Sequence, residues 1–175
     1  MPKHLILVGL PGAGKTTVGA LAADELGACF VDIDALIEER YGAPVSEIFA
    51  GRGEEEFRSL ERESVAEVVE ATSTCVIAPG GGWAAGPGNL ESVAGRALTV
   101  YLATTPESAC ERTAASAHRP LLEVGVAGRQ ELMRELYRQR ERFYSSCDAA
   151  VETDGRTPAE VADAVAQLAR SKVGL

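Results

Sequence analysis

A glycine-rich segment near the start of the chain, residues 9–16 with the sequence GLPGAGKT, constrains the fold more than any other feature. It fits the pattern GxxxxGK[ST] in full, follows an apolar strand candidate and opens a helical stretch. In that setting, backbone N–H groups converge on phosphate oxygens and the helix N-terminus adds positive partial charge. Lys15 is placed to reach the β- and γ-phosphates, and Thr16 to hold Mg²⁺. The segment predicts a site for a purine nucleoside triphosphate but leaves the phosphoryl acceptor open.

Short apolar, β-rich runs alternate with helical patterns along the rest of the chain. Strands covered on both faces and separated by helices predict an α/β fold with a parallel sheet and right-handed crossovers. The length of 175 residues suits one domain spanning 1–175. The strand candidates are His4–Gly9, Cys29–Asp32, Thr74–Ala78, Ala97–Leu102 and Ala149–Glu152, and the helix candidates are Lys15–Leu26, Asp34–Tyr41, Ser46–Phe49, Glu54–Glu70, Pro106–Thr113, Arg129–Tyr144 and Pro158–Arg170.

Charge and composition exclude several classes of protein. The net charge of −9 argues against nucleic-acid binding, which normally needs a basic excess. Apolar stretches of only a few residues exclude a transmembrane helix. The four cysteines, with no CxxC pair, indicate reduced thiols in a cytoplasmic protein rather than a metal site or a disulfide framework. No interface patch is evident in the sequence, so we expect a monomer.

Two carboxylates, Asp32 and Asp34, lie at the carboxyl end of the second strand candidate. Ligands bind at that edge of an open parallel sheet. One carboxylate is placed to serve the metal, and the other to accept a hydrogen bond or a proton from the acceptor hydroxyl. A second interpretation of Asp34 is that it caps the helix that begins at Ala35, and the two roles are compatible.

The helix candidate Glu54–Glu70 carries a charged residue in its apolar stripe. At 100° per residue, Glu61 falls in the middle of that stripe and Arg58 on its flank. A buried carboxylate needs a partner, and Arg58, three residues earlier, is positioned to provide it. Glu61 would then hold the guanidinium so that it grips a ligand carboxylate through two hydrogen bonds. The alternative is a structural ion pair in a solvated helix.

Two loops complete the candidate site. Three consecutive glycines, Gly80–Gly82, follow the third strand candidate, which suggests that the backbone closely approaches another group. A long loop with small residues contains Arg119, which suits a lid over ATP that neutralises charge on the transferred phosphoryl group. The alternative for Arg119 is an ordinary solvated loop residue.

Taken together, these motifs resemble the shikimate kinase family, in its order and spacing and over nearly the whole chain. Any single motif beyond the glycine-rich loop is weak, but the ordered set is specific. Two departures stand out: Ala78-Pro79 precedes the glycines where the family often has Ser or Thr, and Trp83 follows them where a smaller residue is usual. The motifs are GKTTVG at 14–19, Asp32-x-Asp34, Ile48-Phe49, Gly53-Glu54, Phe57-Arg58-x-x-Glu61, Gly80–Gly82, Arg119-Pro120-Leu121-Leu122, Arg140-x-x-x-Tyr144 and Arg156-x-Pro158.

The resemblance implies a three-layer αβα P-loop kinase fold with a five-stranded parallel sheet in the order 2-3-1-4-5. It implies ATP-dependent phosphorylation of the shikimate 3-hydroxyl in the pathway to chorismate and aromatic amino acids, with Mg²⁺ as cofactor, a shikimate-binding region at about 33–61 and a lid at about 112–126. The implied catalytic residues are Lys15, Asp34 and Arg119; the metal residues are Thr16 and Asp32; the shikimate-binding residues are Asp34, Arg58, Gly80, Gly81, Gly82 and Arg140; and the ATP-binding residues are Gly12, Ala13, Gly14, Lys15, Thr16, Thr17, Arg112, Arg119, Arg156 and Pro158.

Two other functions stay open from the residues alone. One is another small P-loop kinase, such as a gluconate kinase or a nucleotide kinase, although a neutral-hydroxyl or nucleotide acceptor does not explain Arg58 with Glu61, Asp34 and Arg140 together. The other is a regulatory protein that binds nucleotide without turnover. Such a protein would be expected to have lost Lys15, Asp34 or Arg119, and the chain retains all three.

Overall fold

The computed structural model describes residues 3–114 and 126–174. Strands and helices alternate through these residues, as the sequence pattern predicts. The strands are β1 His4–Val8, β2 Cys29–Asp32, β3 Cys75–Ala78, β4 Ala97–Ala103 and β5 Ala149–Glu152. The helices are α1 Lys15–Leu26, α2 Ile33–Tyr41, α3 Val45–Arg52, α4 Glu54–Val69, α5 Asn89–Ser92, α6 Pro106–Ala114, α7 Val126–Tyr144 and α8 Pro158–Val173, and a 3₁₀ turn spans Trp83–Ala85.

The five strands form one parallel sheet in the order β2-β3-β1-β4-β5, which confirms the predicted topology. Asp32 at the end of β2 lies opposite Ala78 at the end of β3. The same edge receives the end of β1, where the glycine-rich loop begins. The register therefore brings the phosphate loop, the two aspartates and the glycine triplet together at the carboxyl edge of the sheet, where open parallel sheets bind ligands.

Alternate side chains of the central strands fill two cores, one on each face of the sheet. Leu5 and Leu7 of β1 pack on the face covered by α1 and α8. Ile6 and Val8 pack on the opposite face, against side chains of α2, α4 and α7. Among residues 3–114 and 126–174, no helix is both long enough and apolar enough to span a membrane.

Several helices begin or end away from the predicted residues. Helix α3 begins at Val45 rather than Ser46 because the Val45 N–H donates to the Glu38 carboxylate, 2.8 Å away, which caps α3 from another helix. Helix α2 begins at Ile33 rather than Asp34. The helix predicted from Arg129 begins at 126. No helix was predicted between β3 and β4, where the 3₁₀ turn and helix α5 lie.

The expectation of four reduced cysteines is wrong for two of them. Cys29 and Cys75 form a disulfide between β2 and β3, where they lie directly opposite each other in register. Cys110 and Cys147 are free. The sequence separation of 46 residues gave no sign of the pair, because only the strand order makes the two residues neighbours.

We expect this disulfide to stabilise the fold. Closing a loop of 46 residues lowers the entropy of the unfolded chain, which corresponds to about 4 kcal/mol in the chain-entropy model. Cys29→Ser should lower the free energy of unfolding by about 2–4 kcal/mol in oxidising buffer, measured by urea denaturation. Cys147→Ser, at a half-buried free thiol, is the matched control. Equal stability of the wild type with and without dithiothreitol would contradict the prediction.

Candidate active site

The glycine-rich loop wraps around the amino end of α1. Gly12 and Gly14 adopt left-handed conformations, with φ of 84° and 91°, which side chains rarely allow. Lys15 is buried, and its Nζ donates to the carbonyl oxygens of Gly9 and Leu10 at 2.9 and 3.0 Å. The loop therefore turns its backbone toward one side of the helix and holds a cation beside it, as a phosphate cradle requires.

A cavity of about 320 Å³ opens from this loop. Arg112 on its wall is fixed by Thr153, whose side-chain oxygen and carbonyl accept from its guanidinium at 3.0 and 3.1 Å. Arg156 donates to the carbonyls of Glu152 and Glu160 at 3.2 and 3.0 Å. Nothing in the sequence pattern singled out Thr153. The lining residues are Gly12, Ala13, Gly14, Lys15, Thr16, Thr17, Val18, Arg112, Thr113, Thr153, Arg156, Pro158 and Val161.

Asp32 has both carboxylate oxygens engaged at the start of α2. Its Oδ2 accepts from the Thr16 hydroxyl at 2.7 Å, and its Oδ1 accepts from the Ala35 N–H at 3.2 Å. The helix-capping role considered for Asp34 therefore belongs to Asp32, and that interpretation of Asp34 is wrong. The hydroxyl and the carboxylate together present the hard oxygen ligands that Mg²⁺ prefers, so these two side chains fit a magnesium site.

A buried carboxylate connects α4 to the glycine triplet. Glu61 is completely buried; its Oε2 accepts from Arg58 Nη1 at 2.5 Å and its Oε1 from the Gly80 N–H at 3.1 Å. Burial raises the pKa of Glu61, the Arg58 guanidinium lowers it, and the nearby Asp34 carboxylate raises it again, with a net rise. The Arg58–Glu61 ion pair is the predicted one. Glu61 both balances the charge of Arg58 and connects it to the glycine triplet through the Gly80 N–H.

A side chain at any of the three glycines would crowd its neighbours. A Cβ on Gly80 would lie 2.3 Å from Glu61 Oε1, and a Cβ on Gly82 would lie 2.8 Å from Arg58 Nη2. A Cβ on Gly81 would lie 3.1 Å from Pro11 Cδ of the phosphate loop. The triplet thus packs between the phosphate loop and α4, which explains why the backbone there carries no side chains.

The far side of the triplet meets α7. Arg140 Nη1 donates to the Gly81 carbonyl at 3.0 Å. Two guanidinium groups, those of Arg58 and Arg140, therefore lie on the glycine turn, with Asp34 close to Gly80. Such an arrangement suits an acceptor that carries both a carboxylate and a hydroxyl, held beside the phosphates of a nucleotide.

Most predicted site residues lie in this one region. The phosphate loop, Arg112, Arg156 and Pro158 line one cavity, and Asp34, Arg58, the triplet and Arg140 gather beside it. Arg119 and most of the predicted lid lie outside the described residues. Trp83 is only 1% exposed and packs in a hydrophobic core.

Comparisons with known proteins agree on one family. A family model described as shikimate kinase matches residues 11–170. A shikimate kinase of Moorella thermoacetica is 43% identical over 163 residues, 93% of this chain and 91% of that protein. One of Salinispora arenicola is 42% identical over 164 residues, 93% and 95% of the two chains.

Solved structures show the same likeness. The shikimate kinase from Acinetobacter baumannii in complex with shikimate is 33% identical, with a TM-score of 0.89 over 99% of this chain and 96% of that one. A gluconokinase from Sinorhizobium meliloti, 21% identical with a TM-score of 0.64, covers 97% of this chain and 93% of its own. The identity of that second pair is low enough that it supports only a shared fold.

Proposed function

The chain belongs to the shikimate kinase family and is a shikimate kinase, and we propose that it transfers the γ-phosphoryl group of ATP to the shikimate 3-hydroxyl at the site described above. The products are shikimate 3-phosphate and ADP. The observation that carries the assignment of the acceptor site is Arg58, fixed by the fully buried Glu61 at the glycine triplet next to the phosphate loop. Arg58 and Arg140 together suit an acceptor that carries a carboxylate. Gluconate carries one as well, so the choice of shikimate is supported by the 42–43% identical relatives, which are shikimate kinases.

In the proposed complex, Arg58 and Arg140 hold the ring carboxylate of shikimate, and the backbone of Gly80–Gly82 borders the ring. Asp34 receives the hydrogen bond of the 3-hydroxyl and takes its proton as the oxygen attacks phosphorus. The γ-phosphoryl group then passes directly in line from ATP to that oxygen, without a phosphoenzyme. Catalysis comes from holding the two reactants together and from stabilising the charge of the group in transit.

The nucleotide side is held by the chain's own backbone and cations. Backbone N–H groups of residues 12–17 bind phosphate oxygens, and Lys15 stabilises the transferred group. Thr16 and Asp32 would hold Mg²⁺, which when bound neutralises charge on the β- and γ-phosphates. Arg112, Arg156 and Pro158 frame the adenine. From the sequence, we also assign Arg119 to the transferred group.

The organisation of the chain is also part of the proposal. We assign the acceptor to a region of about 33–61 within one domain of 1–175, and a lid to about 112–126. A monomeric state and a cytoplasmic location stay predictions from the sequence. The prediction of a cytoplasmic location was based in part on reduced cysteines, and the Cys29–Cys75 disulfide removes that support.

An assay of ADP release from MgATP with different acceptors tests the function. We expect release that depends on and saturates with shikimate, and none above background with gluconate or a nucleoside monophosphate. Detection of shikimate 3-phosphate in the same sample identifies the product. A sample that binds ATP but releases ADP only with gluconate or a nucleotide would overturn the acceptor.

Gly80→Ala tests the close packing of the triplet. The added Cβ would displace Glu61, 2.3 Å away, and with it Arg58, so kcat/KM for shikimate should fall by about 100-fold while KM for ATP stays near normal. The matched control is Gly51→Ala in α3, where a Cβ meets no atom within 4 Å. An unchanged kcat/KM in Gly80→Ala would show that the triplet does not border the acceptor.

A further inference from the structure

Tyr144, the last residue of α7, has a ring fixed in one position. The side chain is 2% exposed. Its ring stacks on that of Tyr101 in β4, with centroids 4.6 Å apart and planes within 9° of parallel. The ring is thus fixed by the end of α7 and by Tyr101 of β4, so the position of the Tyr144 hydroxyl is fixed as well.

That hydroxyl lies at the acceptor site. It donates to the Gly81 carbonyl at 3.4 Å, the same oxygen that accepts from Arg140 Nη1 at 3.0 Å. The guanidinium and the hydroxyl therefore meet at one carbonyl oxygen. Burial raises the pKa of Tyr144 to about 12 although Arg140 lowers it, so the hydroxyl keeps its proton, and stays a donor, at any pH used for assay.

We propose that Tyr144 is a positioning residue for shikimate binding, which orients the Arg140 guanidinium and the Gly81 peptide through its hydroxyl. The inference rests on the proposed function, because it requires that Arg140 bind the acceptor carboxylate. An arginine side chain loses much rotamer freedom when it binds, and a neighbour that already holds the guanidinium removes part of that cost. Tyr144 touches neither reacting atom, so its effect belongs to binding and not to the chemical step.

Tyr144→Phe removes the hydroxyl and keeps the stacked ring. We expect KM for shikimate to rise about 3- to 10-fold, the range of one hydrogen bond, with kcat within about twofold and KM for ATP unchanged. Tyr137→Phe is the matched control: it is the same change on the same helix, at a hydroxyl that bonds to Glu141 at 3.2 Å. The control should leave all three parameters at wild-type values.

A double-mutant cycle with Arg140→Ala separates positioning from general structure. If Tyr144 acts chiefly through Arg140, Tyr144→Phe should raise KM for shikimate in the wild type and by a much smaller factor in Arg140→Ala. An unchanged KM in Tyr144→Phe, equal losses for both substrates, or an undiminished effect in Arg140→Ala would each overturn the inference.

The same set of measurements distinguishes failure of this inference from failure of the proposed function. A wild type without shikimate-dependent ADP release contradicts the function itself. Release that is normal in the wild type and impaired in Arg140→Ala, with Tyr144→Phe unaffected, contradicts only the role of Tyr144.

Discussion

Asp34→Asn is expected to lower kcat by about 10²- to 10⁴-fold, the range typical for loss of a general base. Asparagine keeps the shape of the side chain and an oxygen that accepts a hydrogen bond, but it cannot take the proton of the 3-hydroxyl. Shikimate should therefore still bind, with KM changed by less than about tenfold. The helix start should be unaffected, because Asp32 caps α2.

Steady-state kinetics with both substrates varied measure this effect. Asp24→Asn, at an exposed aspartate on α1, is the matched control for the change of charge. A near-normal kcat in Asp34→Asn would show that Asp34 is no base and that the hydroxyl proton leaves by another route. A loss seen mainly in KM would leave Asp34 with a binding role alone.

Local patterns were enough to predict the phosphate side of this site. The conformation of the GLPGAGKT loop is determined locally, because its glycines, lysine and threonine belong to one contiguous strand–loop–helix unit. The Arg58–Glu61 pair was predictable for the same reason: residues three positions apart lie on the same side of a helix, and a carboxylate in an apolar stripe needs a partner. The order of the strands, by contrast, came only from the family resemblance.

Features that depend on contacts between distant elements could not be predicted from these patterns. The disulfide joins residues 46 positions apart that only the strand order makes neighbours. The capping of α2 by Asp32 depends on where α2 begins, which is Ile33 and not the predicted Asp34. The contacts of Gly81 with Arg140 and Tyr144 span 59 and 63 residues. The motif Arg140-x-x-x-Tyr144 identified the two residues. Their spacing of one helical turn does not predict that both donate to the Gly81 carbonyl.

Arg58→Ala is expected to raise KM for shikimate by about 100-fold, because truncating one partner of a buried charge pair at a binding site costs several kcal/mol. KM for ATP should stay near normal, since the nucleotide cavity lies on the other side of the glycine triplet from α4. Arg62→Ala is the matched control; it lies on the same helix but is exposed, and bonds only to Ser59 among the described contacts.

The same change should also destabilise the fold in a pH-dependent way. Without Arg58, the fully buried Glu61 carboxylate loses its countercharge, at a cost of about 3–5 kcal/mol when it is ionised. Burial already raises the pKa of Glu61 in the folded protein, so the folded state binds the proton more tightly than the unfolded state. Stability should thus fall as the pH rises above the unfolded pKa of about 4.3, and the loss should be smallest below it.

A second variant separates binding from stability. Arg58→Ala with Glu61→Gln leaves a neutral amide whose oxygen can still accept from the Gly80 N–H, so the free energy of unfolding should recover and lose the pH dependence that the unpaired Glu61 causes. Shikimate binding should not recover, because the guanidinium is still missing. Recovery of both would mean that Arg58 only neutralises Glu61 and does not hold the acceptor. Equal loss of shikimate and ATP affinity would mean that the pair maintains the whole site, and the carboxylate contact would then fall to Arg140 alone.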